Sequence, residues 1–384
     1  MDYLKLNEEK LRKLCEDGLR GKYKIKPKEV SVQVTNRCNN YCIMCHACNK
    51  EYSNHTYFNE EPLDITFKQY KKFLPGLPSR IIGLLRRKSN DCIDYFFTTA
   101  ESLLNKDIYK IVEYTKKVQP NCFIRFISNG TIPPKRPDIV KYIDKIAFSV
   151  DGCTNETFHY LRPPATLDHV VKVITKWDEA ASLYNDNMQI VLTVVASSKN
   201  IHEIAGIVRL ASQFKHIESV FVQKVILHES KNHLNHLLLD NVPDYKLAEE
   251  LENIKQASKE TGVRVDNLTS LERQKEHNDD EEGSLNCSRY CRYFWNGIIP
   301  IKANNQIDGI CCYMENRGKP LISKYNVPSK GKIDKAYNSK GYWQMRKDML
   351  DGKLEDYCKN CNMRNVGYKL LSEKEINLDE YFYV

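Results

Sequence analysis

The chain holds 384 residues, 28% charged and 41% hydrophobic, with 58 basic against 50 acidic side chains and a net charge of +8. That hydrophobic content excludes a disordered chain, and the length accommodates one large domain with a smaller companion. No run of ~18 uncharged apolar residues occurs, which excludes a membrane-spanning helix, and Met1-Asp2-Tyr3-Leu4-Lys5 lacks the basic-then-apolar order of a secretory signal.

Residues 1–28 read as an N-terminal basic extension whose densest stretch is Arg20-Gly21-Lys22-Tyr23-Lys24-Ile25-Lys26-Pro27-Lys28. A nucleic-acid or phosphate contact is one reading of this stretch, and a solvated edge leading into the fold is the favoured one, since charge runs usually face water. Strands are predicted at 29–35, 93–99, 122–128, 145–150, 188–196 and 219–226, each rich in Val, Ile, Phe or Thr and ending in polar or glycine-containing sequence. Between them, helical patterns occupy 66–73, 106–118, 136–143, 167–184 and 201–214. In the fourth of these, Leu167, Val170, Val171, Ile174 and Trp177 share one helical face.

Six strand-then-helix units in succession predict an α/β fold with a parallel sheet. An open doubly wound sheet and a partial barrel both fit that alternation. Either way, ligands belong at the carboxyl ends of the strands. The gap from Cys45 to Cys92 is too long for an ordinary loop and should carry a helix and a substrate-facing element.

After residue 228 the alternation stops. Residues 229–285 form a helical connector and linker, with one long helix over 243–262 and an acidic run, Asp279-Asp280-Glu281-Glu282. Residues 286–384 form a cysteine-dense tail, in which predicted strands 298–303 and 306–312 flank Asn304-Asn305 as a hairpin.

Fourteen cysteines without a signal peptide suit a reduced, cytoplasmic chain whose thiols bind metal, do chemistry or fill space. Cys38, Cys42 and Cys45 follow the first strand directly, in Thr35-Asn36-Arg37-Cys38-Asn39-Asn40-Tyr41-Cys42-Ile43-Met44-Cys45. Three thiolates at this spacing can wrap a cubane iron–sulfur cluster and leave one iron open to another ligand. Two alternatives exist. Cys42, Cys45 and Cys48 also read as the front of a closed ferredoxin-type run, and C-x2-C pairs suit a zinc site. The chain would then be an electron carrier or a zinc-binding interaction module.

In the tail, Cys287, Cys291, Cys311, Cys312, Cys358 and Cys361 supply enough thiolates for one four-cysteine centre. Cys291, Cys311, Cys358 and Cys361 are the expected ligands, with Cys287 and Cys312 as competitors and a zinc ribbon as the structural alternative. Cys15, Cys92, Cys122 and Cys153 read as small buried hydrophobes. Cys153 follows a strand-end segment and Tyr160 stands near Arg162.

The C-x3-C-x2-C spacing after a first strand resembles the signature of the radical S-adenosylmethionine (SAM) superfamily. Further points of similarity follow in order from about Val30 to Ile226. Phe96-Phe97-Thr98-Thr99-Ala100-Glu101 is similar to the second-strand motif that usually reads Gly-Gly-Glu, with the glutamate kept and the glycines not. Ile127-Ser128-Asn129-Gly130-Thr131 resembles the turn closing the third strand, and Phe148-Ser149-Val150-Asp151-Gly152 followed by Arg162 resembles the fourth-strand motif. Val194 to Asn200 is similar to the fifth unit, while Met44 stands where an aromatic usually precedes the third cysteine.

The resemblance implies a partial (β/α)6 TIM-like barrel over 29–228 that binds a [4Fe-4S] cluster together with SAM. It implies that Glu101 accepts from the methionine ammonium, that Ser149 and Asp151 bond the ribose hydroxyls, that Arg162 pairs with the SAM carboxylate, and that Asn129 belongs to the same site. Each has an ordinary alternative: Glu101 as a helix-capping acid, Ser149 as a small core residue, Arg162 as a surface cation. The tail resembles a SPASM or twitch extension with one auxiliary [4Fe-4S] cluster. The expected activity is reductive cleavage of SAM and hydrogen-atom abstraction from a peptide, protein or carbohydrate-type substrate, with a flavodoxin or ferredoxin as reductant. Dehydrogenation, epimerisation or cross-linking are the expected outcomes, with Cys153 or Tyr160 as candidate donors of a hydrogen atom to a substrate radical. Some 30 residues before the first strand are too few for a leader-peptide-binding domain, which leans away from a leader-dependent substrate.

Overall fold

The computed structural model describes residues 3–25, 27–45, 62–74, 93–227, 229–272, 295, 301–304, 306–307 and 324–353. Its centre is a seven-stranded sheet in which every neighbouring pair is parallel and the spatial order β1 to β7 follows the chain. The strands are β1 (Glu29–Val32), β2 (Asp94–Phe97), β3 (Phe123–Ser128), β4 (Lys145–Ser149), β5 (Gln189–Ala196), β6 (Ile217–Lys224) and β7 (Arg264–Asp266). Parallel neighbours need crossovers, and helices supply them. Serial order without reversal wraps the sheet one way, giving the open partial barrel.

The helices are α1 (Tyr3–Leu19), α2 (Phe67–Phe73), α3 (Ile108–Val118), α4 (Asn155–Leu161), α5 (Leu167–Tyr184), α6 (Ile204–Ala211), α7 (Asp244–Thr261), α8 (Ile333–Tyr337) and α9 (Lys340–Leu350). α2 opens on a capping box: the Thr66 side chain accepts from Gln69 N, and Gln69 Oε1 accepts from Thr66 N at 2.9 Å. α5 buries Leu167, Val170, Val173, Ile174, Trp177, Ala180 and Ala181, while Val171, expected on that face, is half-buried. Residues 136–143, expected as helix, form a 3-10 turn over Pro137–Tyr142. Inside the sheet, Phe97 and Phe126 face each other across the β2–β3 ladder with ring centroids 4.7 Å apart.

The sixth strand starts and ends two residues earlier than predicted, and β7 and α4 were not predicted. α7 fills the predicted 243–262 helix and ends on Gly262 at φ +73°. The N-terminal segment is helical and docks on α9: Arg12 pairs with Asp351 at 2.5 Å and donates to Leu350 O at 2.6 Å, over the buried Leu11 and Cys15. Ile301 lies along the free side of β1, donating to Ser31 O and accepting from Gln33 N, and bridges antiparallel to Ile307. That bridge is the described part of the predicted hairpin.

Candidate active site

The carboxyl ends of β2 to β6 surround one cavity of about 340 Å³. Cys38, Cys42 and Cys45 form one wall, in the loop after β1. That loop is fastened at several points. At its base Arg37 grips Asp64 with two bonds, at 3.2 and 2.5 Å, and donates to Leu104 O. Further on, Tyr41 N donates to Pro163 O and Ile43 N to Leu161 O, which ties the cysteines to the end of α4. Cys45 N closes a turn onto Cys42 O at 3.0 Å.

Two of the sulfurs face nitrogen donors. Asn129 Nδ2 lies 3.6 Å from Cys38 Sγ, and Arg162 Nη1 lies 3.5 Å from Cys42 Sγ. Asn129 is set by the β3 turn, where its Oδ1 accepts from Thr131 N and Gly130 adopts φ +74°. A Cβ at residue 130 would come within 2.7 Å of Val170 Cγ1, so the Asn-Gly pair is required by space as well as by backbone.

Beneath the cavity are two wholly buried acids. Glu101 Oε1 accepts from Leu103 N, and Oε2 accepts from Ser128 Oγ and from Asn129 N at 2.7 Å. Burial pushes its carboxyl up to about 7, with these three donors pulling the other way. Asp151 Oδ2 accepts from Arg162 Nε at 2.5 Å, and Oδ1 from Val195 N at 2.7 Å. Arg162 is 9% exposed. Burial disfavours its charge, but Asp151 and the Cys42 sulfur outweigh that and hold it above its ordinary range. Burial also pushes the Cys42 thiol up to about 12, against the pull of Arg162.

Between β2 and Glu101 the backbone turns left-handed twice without glycine, with Thr99 at φ +66° and Ala100 at φ +58°. These are the positions of the motif's two glycines, and the φ values give the physical reason for glycine there. The ends of this turn are pinned: Thr98 N donates to Val32 O and Glu101 N to Arg37 O.

The Radical SAM superfamily model matches residues 32–211, the segment that carries Cys38, Cys42, Cys45, Glu101, Asn129, Asp151 and Arg162. A protein of Methanocaldococcus jannaschii, named only "Uncharacterized protein MJ0907", is 30% identical over 228 residues, covering 57% of this chain and 68% of that protein. The chain belongs to the radical SAM superfamily.

It is therefore an enzyme, of a family whose members pair a [4Fe-4S] cluster with SAM. The crystal structure of Streptococcus suis SuiB superposes with TM-score 0.52 and 14% identity, over 86% of this chain and 66% of that one. SuiB bound to S-adenosylmethionine gives 0.54 and 15%, over 93% and 76%. Native anSMEcpe with bound AdoMet gives 0.52 and 14%, over 88% of each chain. At these identities the likeness is one of fold, and the chain spans only about two thirds of the first SuiB structure.

Of the five side chains expected around SAM in this radical SAM enzyme, Asn129, Ser149 and Arg162 line the cavity. Glu101 and Asp151 lie below it, each with both oxygens engaged. Glu101 does cap the 3-10 turn Ser102–Leu104, and Arg162 is anything but a surface cation. Met44, Ala100, Ile127 and Val195, which lie within the quoted motifs, also line the cavity, and Gln223, Val225 and Ile226 join them without having been singled out from sequence. Their signal is positional, since each sits at or just past the carboxyl end of a strand. Lys224 on the same rim is paired with Asp240 at 2.8 Å.

Cys153 and Tyr160 are not among the lining residues; Cys153 packs on Gly206, and Tyr160 lies under Lys199. Cys15 and Cys122 are buried as expected. Cys48, Cys92, Cys287, Cys291, Cys311, Cys312, Cys358 and Cys361 lie outside the described residues. Among the described residues no three His, Cys, Asp or Glu side chains converge on a single-ion site. Three thiols line this cavity, two of them facing N–H donors, a donor set of the kind that holds an iron–sulfur cluster. Among the described residues, no helix is long and apolar enough to cross a membrane.

Proposed function

We propose that Cys38, Cys42 and Cys45 hold the [4Fe-4S] cluster and that SAM occupies the cavity beside them. The observation that carries this reading is that all three thiols line a single cavity shared by the carboxyl ends of β2 to β6. When bound, cluster and SAM together supply reductive cleavage of the sulfonium and a carbon radical able to take a hydrogen atom from an unactivated C–H bond.

The chain's own residues bind, orient and exclude water. Asn129 donates toward Cys38 Sγ and Arg162 toward Cys42 Sγ, which fixes the wall that SAM would face. Ser149 presents a small hydroxyl at the end of β4, within 3.4 Å of Thr193 Oγ1, where a ribose hydroxyl would find a partner. Glu101 accepts from the Ser128 hydroxyl and the Asn129 backbone N–H, and so holds the turn that would face the methionine end of SAM. Ile127, Val195 and Val225 give the cavity an apolar side that would keep water and stray hydrogen donors from a reactive carbon.

The substrate class is a peptide, protein or carbohydrate-type molecule, and the reaction a dehydrogenation, epimerisation or cross-link at carbon. A crystal structure of SuiB bound to precursor peptide SuiA shares this chain's fold at TM-score 0.53, which favours the peptide arm. An auxiliary cluster on Cys291, Cys311, Cys358 and Cys361, a flavodoxin or ferredoxin reductant, and a cytoplasmic location complete the proposal. So does the division into an N-terminal segment 1–28, a core 29–228, a connector 229–285 and a tail 286–384.

Anaerobic reconstitution tests it. About eight iron atoms per chain and SAM-dependent 5′-deoxyadenosine under dithionite are expected. Replacing Cys38, Cys42 and Cys45 by alanine should abolish cleavage and leave the tail's iron in place. Cleavage that survives the triple change refutes the assignment.

A further inference from the structure

Two observations stand together at the edge of the cavity. Arg162, expected to meet a SAM carboxylate, spends Nε on Asp151 and points Nη1 at Cys42 Sγ from 3.5 Å. Asp151, expected at a ribose, is 0% exposed, and its carbonyl oxygen also accepts from Asn200 Nδ2 at 2.8 Å. With Val195 N on its second oxygen, that carboxylate has one evident task, which is to hold the guanidinium in place.

A guanidinium carries five N–H donors, so serving Asp151 and Cys42 leaves others for a ligand. The contact with sulfur nonetheless has a consequence of its own. A cluster thiolate gains negative charge when the cluster accepts an electron. A buried cation donating to that thiolate therefore favours the reduced state over the oxidised one, and hydrogen bonds to sulfur are among the terms that set cluster potentials. The counter-charge of Asp151 works in the opposite sense.

We propose that the Asp151–Arg162 pair sets the reduction potential of the cluster through Cys42 Sγ, Arg162 as the direct donor and Asp151 as a positioning residue that moderates its charge. The proposal rests on the reading of Cys42 as a cluster ligand. Its backbone setting is built for constancy. Arg162 ends α4, whose first turn is held by Glu203 through Cys153 N at 2.6 Å and Thr154 N at 3.1 Å, and whose far end anchors the cysteine loop through Leu161 O and Pro163 O. Sulfur and guanidinium thus share one strut and keep their spacing.

The test is a potentiometric titration followed by EPR on the signal that SAM perturbs, for the wild-type chain, Arg162→Met, Asp151→Asn and the double variant. Arg162→Met should lower the reduced-to-oxidised ratio about tenfold at the wild-type midpoint, a shift of about 59 mV to lower potential for one electron. Asp151→Asn should move the potential the other way, and the double variant should fall between the two. Arg162→Lys keeps a cation in the same space and should stay within about threefold of wild type. If Arg162→Met fails to take up iron, the opposite-signed Asp151→Asn shift still decides the matter.

An unchanged potential in Arg162→Met, or single variants shifting in the same direction as a merely loosened site would, overturns the proposal. A wild-type chain with no SAM-responsive iron signal overturns instead the functional reading beneath it. The two failures are distinct.

Discussion

The turn between β2 and Glu101 gives the most quantitative forecast. Thr99 at φ +66° and Ala100 at φ +58° occupy the left-handed region, which costs an L-residue roughly 1–2 kcal/mol. Replacement by glycine removes that cost and adds back roughly 0.5–1 kcal/mol of unfolded-chain entropy. Each of Thr99→Gly and Ala100→Gly should therefore stabilise the chain by roughly 0.5–1 kcal/mol, with the β-branched threonine giving the larger effect. The residues are adjacent, so the double variant need not equal the sum. Urea melts of the metal-free chain measure this as a higher midpoint at unchanged slope. Gly262 supplies the converse control: its φ is +73° and a Cβ there would meet nothing within 4 Å, so Gly262→Ala isolates the backbone cost. It should destabilise by about 1 kcal/mol. If Thr99→Gly and Ala100→Gly destabilise by about that amount, as glycine does at an ordinary φ, the strained turn is not present.

Three further outcomes follow from the same geometry. Glu101 has a folded pKa raised to about 7 against an ordinary 4.5, so the folded chain holds a proton that the unfolded chain has lost. Stability should accordingly fall as pH rises from about 4.5 through about 7, with a slope of at most about 1.4 kcal/mol per pH unit from this group, and Glu101→Gln should remove that component in urea melts across pH. Glu203→Ala strips Cys153 N and Thr154 N of their acceptor and should cost about 2–4 kcal/mol in the same melts, with less iron retained per chain; Glu203→Gln should recover part of both. Cys358→Ala with Cys361→Ala should lower iron from about eight to about four per chain on elemental analysis while the SAM-responsive EPR signal persists.

Much of this was legible in the chain itself, for physical reasons that differ by element. Strands such as β3 and β5 are dense in Val, Ile and Phe, and their boundaries fell within a few residues of the predicted ones. β7 escaped because three residues with charged Arg264 and Asp266 at its ends carry no apolar run. α1 escaped because its buried face, with Leu11 and Cys15, is completed by α9 from the far end of the sequence. At the site, motif order brought Cys38, Cys42, Cys45, Asn129, Ser149 and Arg162 to one cavity. Order along a chain carries no depth, however. That Glu101 and Asp151 lie under the wall, holding Asn129 and Arg162 against two sulfurs, depends on side-chain burial and on partners such as Val195 N that only folding supplies.

Mössbauer spectroscopy of the 57Fe-reconstituted chain, with and without SAM, addresses the central claim most directly. On the proposed ligation by Cys38, Cys42 and Cys45, one iron of four would keep a non-cysteine ligand, so one subsite should change its isomer shift and quadrupole splitting when SAM is added. The change should vanish in the triple alanine variant. Spectra in which every iron stays sulfur-ligated and indifferent to SAM would contradict the account.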